Sequence, residues 1–295
     1  MVSIVLPTFN RRTFLEKAVK SIVDQTFTEW ELLVVDDGSD DESWKVLRKF
    51  KDPRIHYLYQ RNQGASRARN TGIQFSRFPW ICFLDSDDYW QPTKLQRQIE
   101  TLQSHPHYRV IYTDEIWIRK GRRVNPRKTH RKYGGWIFHR CLPLCIISPS
   151  SVLLDRTIVQ HHGLFDEDFP VCEDYEMWLR ISSRYPIYFL DEPLIVKVGG
   201  HAGQLSQSLW GLDRYRVRAM TKTYSTGNLT PQQRVWTARQ IVEKARILAT
   251  GFTNHKKWVE ARKYQEMVQA WLTKAQSPAH SRSLKIPEDS SPGAK

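Results

Sequence analysis

The sequence has no apolar run near the roughly 18 residues that a bilayer-crossing helix needs, so no membrane span is expected. No basic segment precedes Val2-Ser3-Ile4-Val5-Leu6, and the start reads as a β-strand rather than a signal peptide. Cysteine is scarce. Cys82, Cys141, Cys145 and Cys172 match no zinc spacing, which leaves buried thiols in a reducing, cytoplasmic setting as the expectation. Acidic residues are outnumbered, 31 Asp and Glu against 45 Lys and Arg, for a net charge of +14 over 295 residues. With 40% apolar and 26% charged residues, the chain is globular and not disordered. The basic excess peaks between Arg119 and Lys132, with eight Lys or Arg and no acid. Such a stretch is a solvated loop, or a surface for anionic lipid, a phosphate-bearing acceptor or nucleic acid.

The first hundred residues alternate strand and helix, the pattern of right-handed crossovers in a mostly parallel sheet. Strands are predicted at Val2–Leu6, Trp30–Val35, Ile55–Tyr59 and Trp80–Leu84. Thr13 with Glu16, and Ser39 with Glu42, read as capping boxes opening the first two helices. Further helices are expected over 64–75 and 92–103. After Tyr108 the pattern becomes mixed: strands over 110–118, 151–154, 187–190 and 194–198, and a helix over 173–184. From about Ser208 the sequence turns helical, with one helix around Leu209–Met220 and two more over 231–250 and 255–272. The Ser-, Pro- and Lys-rich tail, 278–295, reads as disordered.

The chemistry-bearing residues fall where strands end. Asp85-Ser86-Asp87-Asp88 follows the buried-looking run Trp80–Leu84, at the strand end where open α/β sheets bind ligands. Two acids one residue apart can place one oxygen on a divalent cation and leave the other for a sugar hydroxyl, which suits a nucleotide diphosphate. Pro7-Thr8-Phe9-Asn10 and Asp36-Asp37-Gly38-Ser39 end neighbouring strands; there Asp36 can accept the N–H of a uracil ring and Thr8 can bond a base or ribose oxygen. In Gly64-Ala65-Ser66-Arg67-Ala68-Arg69-Asn70-Thr71-Gly72 the glycines allow close backbone approach, and Arg67 and Arg69 are candidates to contact a nucleotide. Glu173-Asp174 opens a helix, where the dipole favours acids; one of the pair is a candidate general base. His201, in Gly199-Gly200-His201-Ala202-Gly203, can ligate a metal or touch a diphosphate. Tyr89, Trp90, Trp136 and Trp178 are either core or sugar-stacking residues.

These words, in this order, resemble family 2 glycosyltransferases of the GT-A fold, over about residues 1–200. The resemblance implies an α/β fold: a Rossmann-like, mostly parallel central sheet flanked by helices, with a C-terminal helical extension. It implies a GT-A domain over 1–205 (nucleotide-binding half 1–105, acceptor half 106–205) and a helical extension over 206–277. The implied activity is inverting transfer of one sugar from a nucleotide-diphosphate donor, UDP-linked, to a glycan or lipid-linked acceptor, with Mg2+ or Mn2+ as cofactor. Carried over by motif, Pro7, Thr8, Asn10, Asp36, Gly64, Arg67, Asp85 and Ser86 bind the nucleotide, Asp87 and His201 the metal, and Asp174 or Glu173 is the base. The Gln-x-x-Arg-Trp motif of the family's processive synthases is absent, which favours single addition. An anionic membrane surface is a further expected partner, and nucleic acid is not. Two rivals use the same features: a nucleotidyltransferase built on the acidic cluster, though no glycine-rich loop follows strand one, and a non-catalytic basic nucleic-acid binder.

Overall fold

The computed structural model describes residues 1–201, 203, 204 and 210–276. The tail expected to be disordered, 278–295, lies outside the described residues, as does Leu209. One sheet carries nine strands among the described residues: β1 (Val2–Thr8), β2 (Trp30–Asp36), β3 (Ile55–Tyr59), β4 (Trp80–Phe83), β5 (Tyr89–Trp90), β6 (Val110–Arg119), β7 (Arg122–Val124), β8 (Val152–Asp155) and β9 (Tyr188–Gly199). Their order is β3-β2-β1-β4-β8-β6-β9-β5, with β7 on β6. Strands β1 to β4 are parallel to one another. Antiparallel β8 then joins β4 to β6, and β6 and β9 are again parallel. The α/β class is as expected, and the sheet becomes mixed where the second half of the chain enters it.

β1 and β2 are buried along their whole length, which is why they read as largely apolar runs, with Ser3 and Glu31 hydrogen-bonded to each other at 2.6 Å. Alternate residues serve opposite faces. Ile4 and Leu6 pack with Leu15, Val19 and Ile22 of α1 (Arg12–Val23) and with Leu95 of α4 (Lys94–Ser104). Val5, Leu33 and Phe83 join the other core with Ile73 of α3 (Ala65–Phe75), Phe138 of α5 (Phe138–Cys141), Ile158 of α6 (Arg156–His162) and Trp178 of α7 (Glu173–Ser182). The C-terminal helices, α8 (Leu212–Thr226), α9 (Pro231–Asn254) and α10 (Trp258–Gln276), continue this second core. Gly72 is required where α3 crosses β1: a Cβ there would meet Val5 Cγ1 at 2.3 Å.

Several local expectations are corrected. β1 runs through Pro7 to Thr8 instead of stopping before it. Val5 bonds toward β4, so Pro7 shares that side, and β4 pairs only as far as Val5; the missing N–H withholds little from the ladder. Neither capping box forms. Thr13 lies inside α1, whose first turn is satisfied from another loop: Arg12 N–H donates to Asp41 Oδ2 at 2.9 Å. The second helix is a single turn, α2 (Trp44–Leu47), opened by Asp41 accepting from Ser43 N–H at 3.0 Å, while Ser39 Oγ accepts from Asn10 N–H at 2.9 Å. The two strands expected around Pro193 are one strand, β9, with a register irregularity opposite Asp114. The genuine capping box is Thr230–Gln233, at the start of α9. The basic stretch carries the short β7 and a buried end: seven of its cations are exposed, but Lys132 is buried against Glu115 at 3.2 Å.

Lys94 is fully buried at the start of α4, its ammonium 3.7 Å from the Trp90 ring centroid and 3.6 Å from Cys82 Sγ. Burial holds it down at about 8. The unfolded chain, with an ordinary lysine, therefore keeps a proton that the native state releases, so native stability rises with pH from about 8 toward the ordinary lysine value. Lys94→Met is expected to raise stability at pH 7 by about 1–3 kcal/mol, an advantage that shrinks across that window. Urea melts at pH 7 and 10 measure it, and a variant less stable than wild type at pH 7 would contradict the assignment.

Candidate functional site

Four loops meet at the carboxyl ends of β1, β2 and β4. Thr8 and Asp36 are register partners at the ends of β1 and β2. Both are buried, and Thr8 Oγ1 has no hydrogen-bond partner. Asp36 Oδ1 accepts from Ser39 N–H at 2.8 Å and Oδ2 from the Tyr57 hydroxyl at 2.8 Å. A carboxylate has about four acceptor positions, so Asp36 keeps capacity for a ligand. Burial, and then Asp36, push the Tyr57 phenol upward. Asp37 is a clamp: it accepts from Gln63 N–H at 3.0 Å, Gly64 N–H at 2.8 Å and the Gln60 amide at 2.7 Å. Gly64, at φ 91°, starts α3 with open space where a Cβ would stand. Asn10 sits in the left-handed region that asparagine tolerates, and its Oδ1 accepts from Asp40 N–H at 2.9 Å, tying the first two loops together.

The turn after β4 is closed by Asp88 N–H donating to Asp85 C=O at 2.9 Å, with Ser86 buried within it. Its three carboxylates have different duties. Asp88 is buried, accepting from Ser150 Oγ at 2.7 Å and Val198 N–H at 3.1 Å; burial and then Asp87 push it well up. Asp87 Oδ2 lies 3.0 Å from His201 Nε2, so these residues, 114 apart in sequence, converge. Burial and then Asp85 push Asp87 up, against the opposing charges of Arg11 and His201.

Asp85 is held by Arg69, the residue that ties the site together. The Arg69 guanidinium is buried, donating from Nη2 to Asp85 Oδ1 at 2.7 Å and from Nη1 to Glu173 Oε1 at 2.7 Å. It thus joins the turn after β4 to the first residue of α7. That helix begins after Cys172, a non-glycine residue at φ 63°. Burial pushes the Glu173 carboxyl up to about 6 despite Arg69. Asp174, half-buried, accepts from Tyr175 N–H at 2.7 Å on Oδ1 and from the Cys145 thiol at 3.4 Å on Oδ2.

Asp174 borders a pocket of about 110 Å³ lined also by Glu115, Trp117, Cys145, Ser148 and Lys197. Glu115 accepts from Trp117 Nε1 at 2.7 Å and Ser148 Oγ at 2.8 Å. Burial alone would raise it, but Lys197 and Lys132 hold it down at about 2. Burial would lower Lys197, yet Glu115, Asp88, Asp85 and Asp174 keep it above the ordinary lysine value. The pocket thus sets an aromatic ring, an ammonium and an available carboxylate around one small volume.

The structure therefore brings together Thr8, Asp36 and Gly64 on one side, and Asp85, Asp87, His201, Glu173 and Asp174 on the other. Arg67 is not drawn in; it pairs with Glu167 at 3.3 Å. Arg69, weighed as a nucleotide contact, is instead the internal bridge. It lies on the face of α3 shared with Ser66 and Ile73, the i−3 and i+4 positions, and that spacing was the available signal. Trp90 and Trp178 are core, Trp136 is exposed, and the pocket's indole is Trp117. Lys197 and Glu115 were missed; charges inside the apolar runs of β9 and β6 are what marks them.

A sheet with these carboxylates at its strand ends is the GT-A architecture. In solved structures, Staphylococcus aureus TarS residues 1–349 in complex with UDP-GlcNAc matches 93% of this chain and 81% of its own, with a TM-score of 0.74 at 17% identity. The mannosyltransferase PcManGT from Pyrobaculum calidifontis, in complex with GDP-Man and Mn2+, matches 93% and 85%, with a TM-score of 0.58 at 16% identity. The profile of the family described as Glycosyl transferase family 2 matches residues 3–162, and the chain belongs to that family. It is a glycosyltransferase. Among its relatives is the Escherichia coli UDP-Glc:alpha-D-GlcNAc-diphosphoundecaprenol beta-1,3-glucosyltransferase WfaP, 33% identical over 62% of this chain and 71% of its own length. The Escherichia coli enzyme of the same description, WfgD, is 34% identical over 61% and 69%. The nucleotidyltransferase and nucleic-acid-binding alternatives find no support in these comparisons.

Because Arg69 neutralises the buried Glu173 as well as the part-buried Asp85, Arg69→Met is expected to destabilise the fold by about 3–5 kcal/mol, with Arg69→Lys costing less. Urea unfolding measures both. A cost below about 1 kcal/mol for the methionine variant, the range of an exposed pair, would contradict the bridge.

Proposed function

We propose that this chain moves a single sugar, with inversion, from a UDP-linked donor to a hydroxyl of a lipid-linked glycan acceptor, at an anionic membrane face and in surface glycan assembly. The activities of the two Escherichia coli relatives support the donor and acceptor classes. No helix among the described residues is long and apolar enough to cross a membrane, so contact with a lipid-linked substrate would be made from the surface. Residues 1–105 supply the nucleotide side, 106–205 the acceptor side, and 206–277 an extension.

Thr8, with its buried unpaired hydroxyl, and Asp36 would take the base and ribose, beside Pro7, Asn10 and Gly64. Asp85 and Ser86 would lie along the ribose and diphosphate. Arg67 would reach the nucleotide only by leaving Glu167. Asp87 and His201 fit a divalent cation, Mg2+ or Mn2+: an oxygen and a nitrogen donor converge at 3.0 Å, and the part-buried Asp87 carboxylate gains from a nearby positive charge. Among the described residues no three His, Cys, Asp or Glu side chains cluster as a metal site, so substrate phosphates would complete the shell, as they do for hard cations. When bound, such an ion offsets the charge that develops on the leaving diphosphate.

One observation supports Asp174 as the base. Glu173 is buried and committed to Arg69, whereas Asp174 borders the pocket with one oxygen fixed by Tyr175 N–H. The acceptor hydroxyl attacks the anomeric carbon from the face opposite the diphosphate. A carbon–oxygen bond forms as the bond from that carbon to the diphosphate breaks, and Asp174 takes the hydroxyl proton. Trp117 and Lys197 would orient the sugar in the pocket.

The test is UDP release from UDP-sugars with Mn2+, with and without a diphosphoundecaprenol-linked acceptor. Asp174→Asn is expected to lower kcat by about 10²–10⁴-fold with UDP affinity unchanged, and Asp87→Ala to abolish the response to Mn2+. Wild-type turnover in Asp174→Asn would sink the assignment of the base.

A further inference from the structure

The turn between α9 and α10 lacks the features of an ordinary surface turn. Every residue from Asn254 to Glu260 is exposed, and two of them are large and apolar: Trp258 is 63% exposed and Val259 82%. Trp210, 52% exposed, stands beside them, its ring edge-on to Phe252 at 5.3 Å and to His255 at 5.8 Å. Cations surround the group. Lys256 and Lys257 are adjacent, neither has an ion pair among the described residues, and Lys257 Nζ lies 5.6 Å from the Trp210 ring centroid. The only acid from 254 to 263 is Glu260. Exposed indole and aliphatic surface interleaved with lysine is the composition of a segment seated in a lipid headgroup layer, where the apolar side chains reach the acyl boundary and the ammonium groups meet anionic phosphates.

Its place in the fold gives the composition a purpose. The start of α8 lies against the start of α7: Cys172, just before Glu173, has its Sγ 3.9 Å from Leu212 C=O. The far end of α7 is held by the start of α9, where Gln233 Nε2 donates to Ser183 C=O at 3.0 Å. α9 therefore runs back toward the carboxylates. Lys244 donates to Asp213 at the start of α8 at 2.8 Å, and the end of α9 meets Trp210. The α9–α10 turn thus projects at the end of the molecule that carries Asp174.

We propose that this turn, through Trp258, Val259, Lys256 and Lys257 with Trp210 at its edge, is the membrane-docking surface. It seats in an anionic phospholipid headgroup layer and presents the Asp174 end of the site to the bilayer. The inference rests on the reading of a lipid-linked acceptor above. Its occupant follows from charge: a chain of net charge +14, with unpaired lysines at the apolar tip, complements anionic lipid. The basic rim formed by Arg119 and Lys120, against Gly200 on the approach to His201, adds positive charge near the site mouth.

The test is co-sedimentation of the full chain with vesicles of phosphatidylcholine alone or mixed with phosphatidylglycerol, at about 0.1 M salt, where exposed charges still act over about 10 Å. Wild type is expected to bind the mixed vesicles at least about tenfold more tightly than the neutral ones. W258A/V259A and K256E/K257E are each expected to lose about tenfold or more on mixed vesicles, with wild-type melting curves and wild-type UDP release from soluble UDP-sugar. Equal binding to both vesicle types would overturn the proposal, as would variants that bind like wild type. Concentration-dependent dimerisation abolished by W258A/V259A would also overturn it, by giving the surface to a second copy of the chain. UDP release is read separately. A wild-type chain that binds anionic vesicles but turns over no sugar nucleotide would refute the catalytic reading and not the docking surface.

Discussion

The site depends on one guanidinium. Arg69 is surrounded by apolar packing, with Phe165 beneath its charge at 5.2 Å, and spends its donors on two carboxylates from distant parts of the chain. Taking the Arg69 and Glu173 charges out of water is costly unless each is paired and hydrogen-bonded, and here the pairing fixes geometry as well as energy. Asp85 comes from the end of β4, and Glu173 from the start of a helix that follows almost ninety residues later. Holding both fixes the distance between the acidic turn and the backbone of α7, and so the place of Asp174. Glu173 acts as the anchor, and Asp174 beside it borders the pocket.

The other acids show the same division between anchoring and function. Asp37 and Asp88 hold loops, accepting backbone N–H groups from residues 63, 64 and 198. Asp36, Asp87 and Asp174 keep unused capacity, and all three face the crevice or its pocket. Sheet order makes this arrangement attainable. Because β8 enters antiparallel between β4 and β6, the second half of the chain returns beside β1 to β4. Lys197 on β9 then comes close to the turn after β4, with Glu115 on β6 beside it. The C-terminal helices extend the same core and carry the lysine- and tryptophan-bearing turn to that end of the molecule.

The strands with two buried faces, the acidic turn after β4 and the Glu173-Asp174 helix start were readable from the sequence, because burial writes continuous apolar runs and loops punctuate them. What was unreadable involved partners distant in sequence. Thr13 and Ser39 look like helix caps, but Asp41 takes both duties, and no local pattern reveals a donor or acceptor arriving from another loop. Arg69 and Arg67 are two residues apart in one motif; helical phase sends the first into the core and the second to the surface beside Glu167. The basic stretch reads as uniformly solvated until Glu115, on a neighbouring strand, draws Lys132 inside. The pocket around Lys197 joins β6, β9 and the start of α7, a convergence that exists only after folding.

The most direct measurement is a crystal structure with a UDP-sugar and Mn2+ bound. The uracil and ribose are expected beside Thr8 and Asp36, the ion between Asp87 and His201 on the diphosphate, and the anomeric carbon turned toward Asp174 with the Arg69 bridge intact. A nucleotide bound elsewhere, or an ion remote from the turn at residues 85–88, would contradict the single crevice on which the whole interpretation stands.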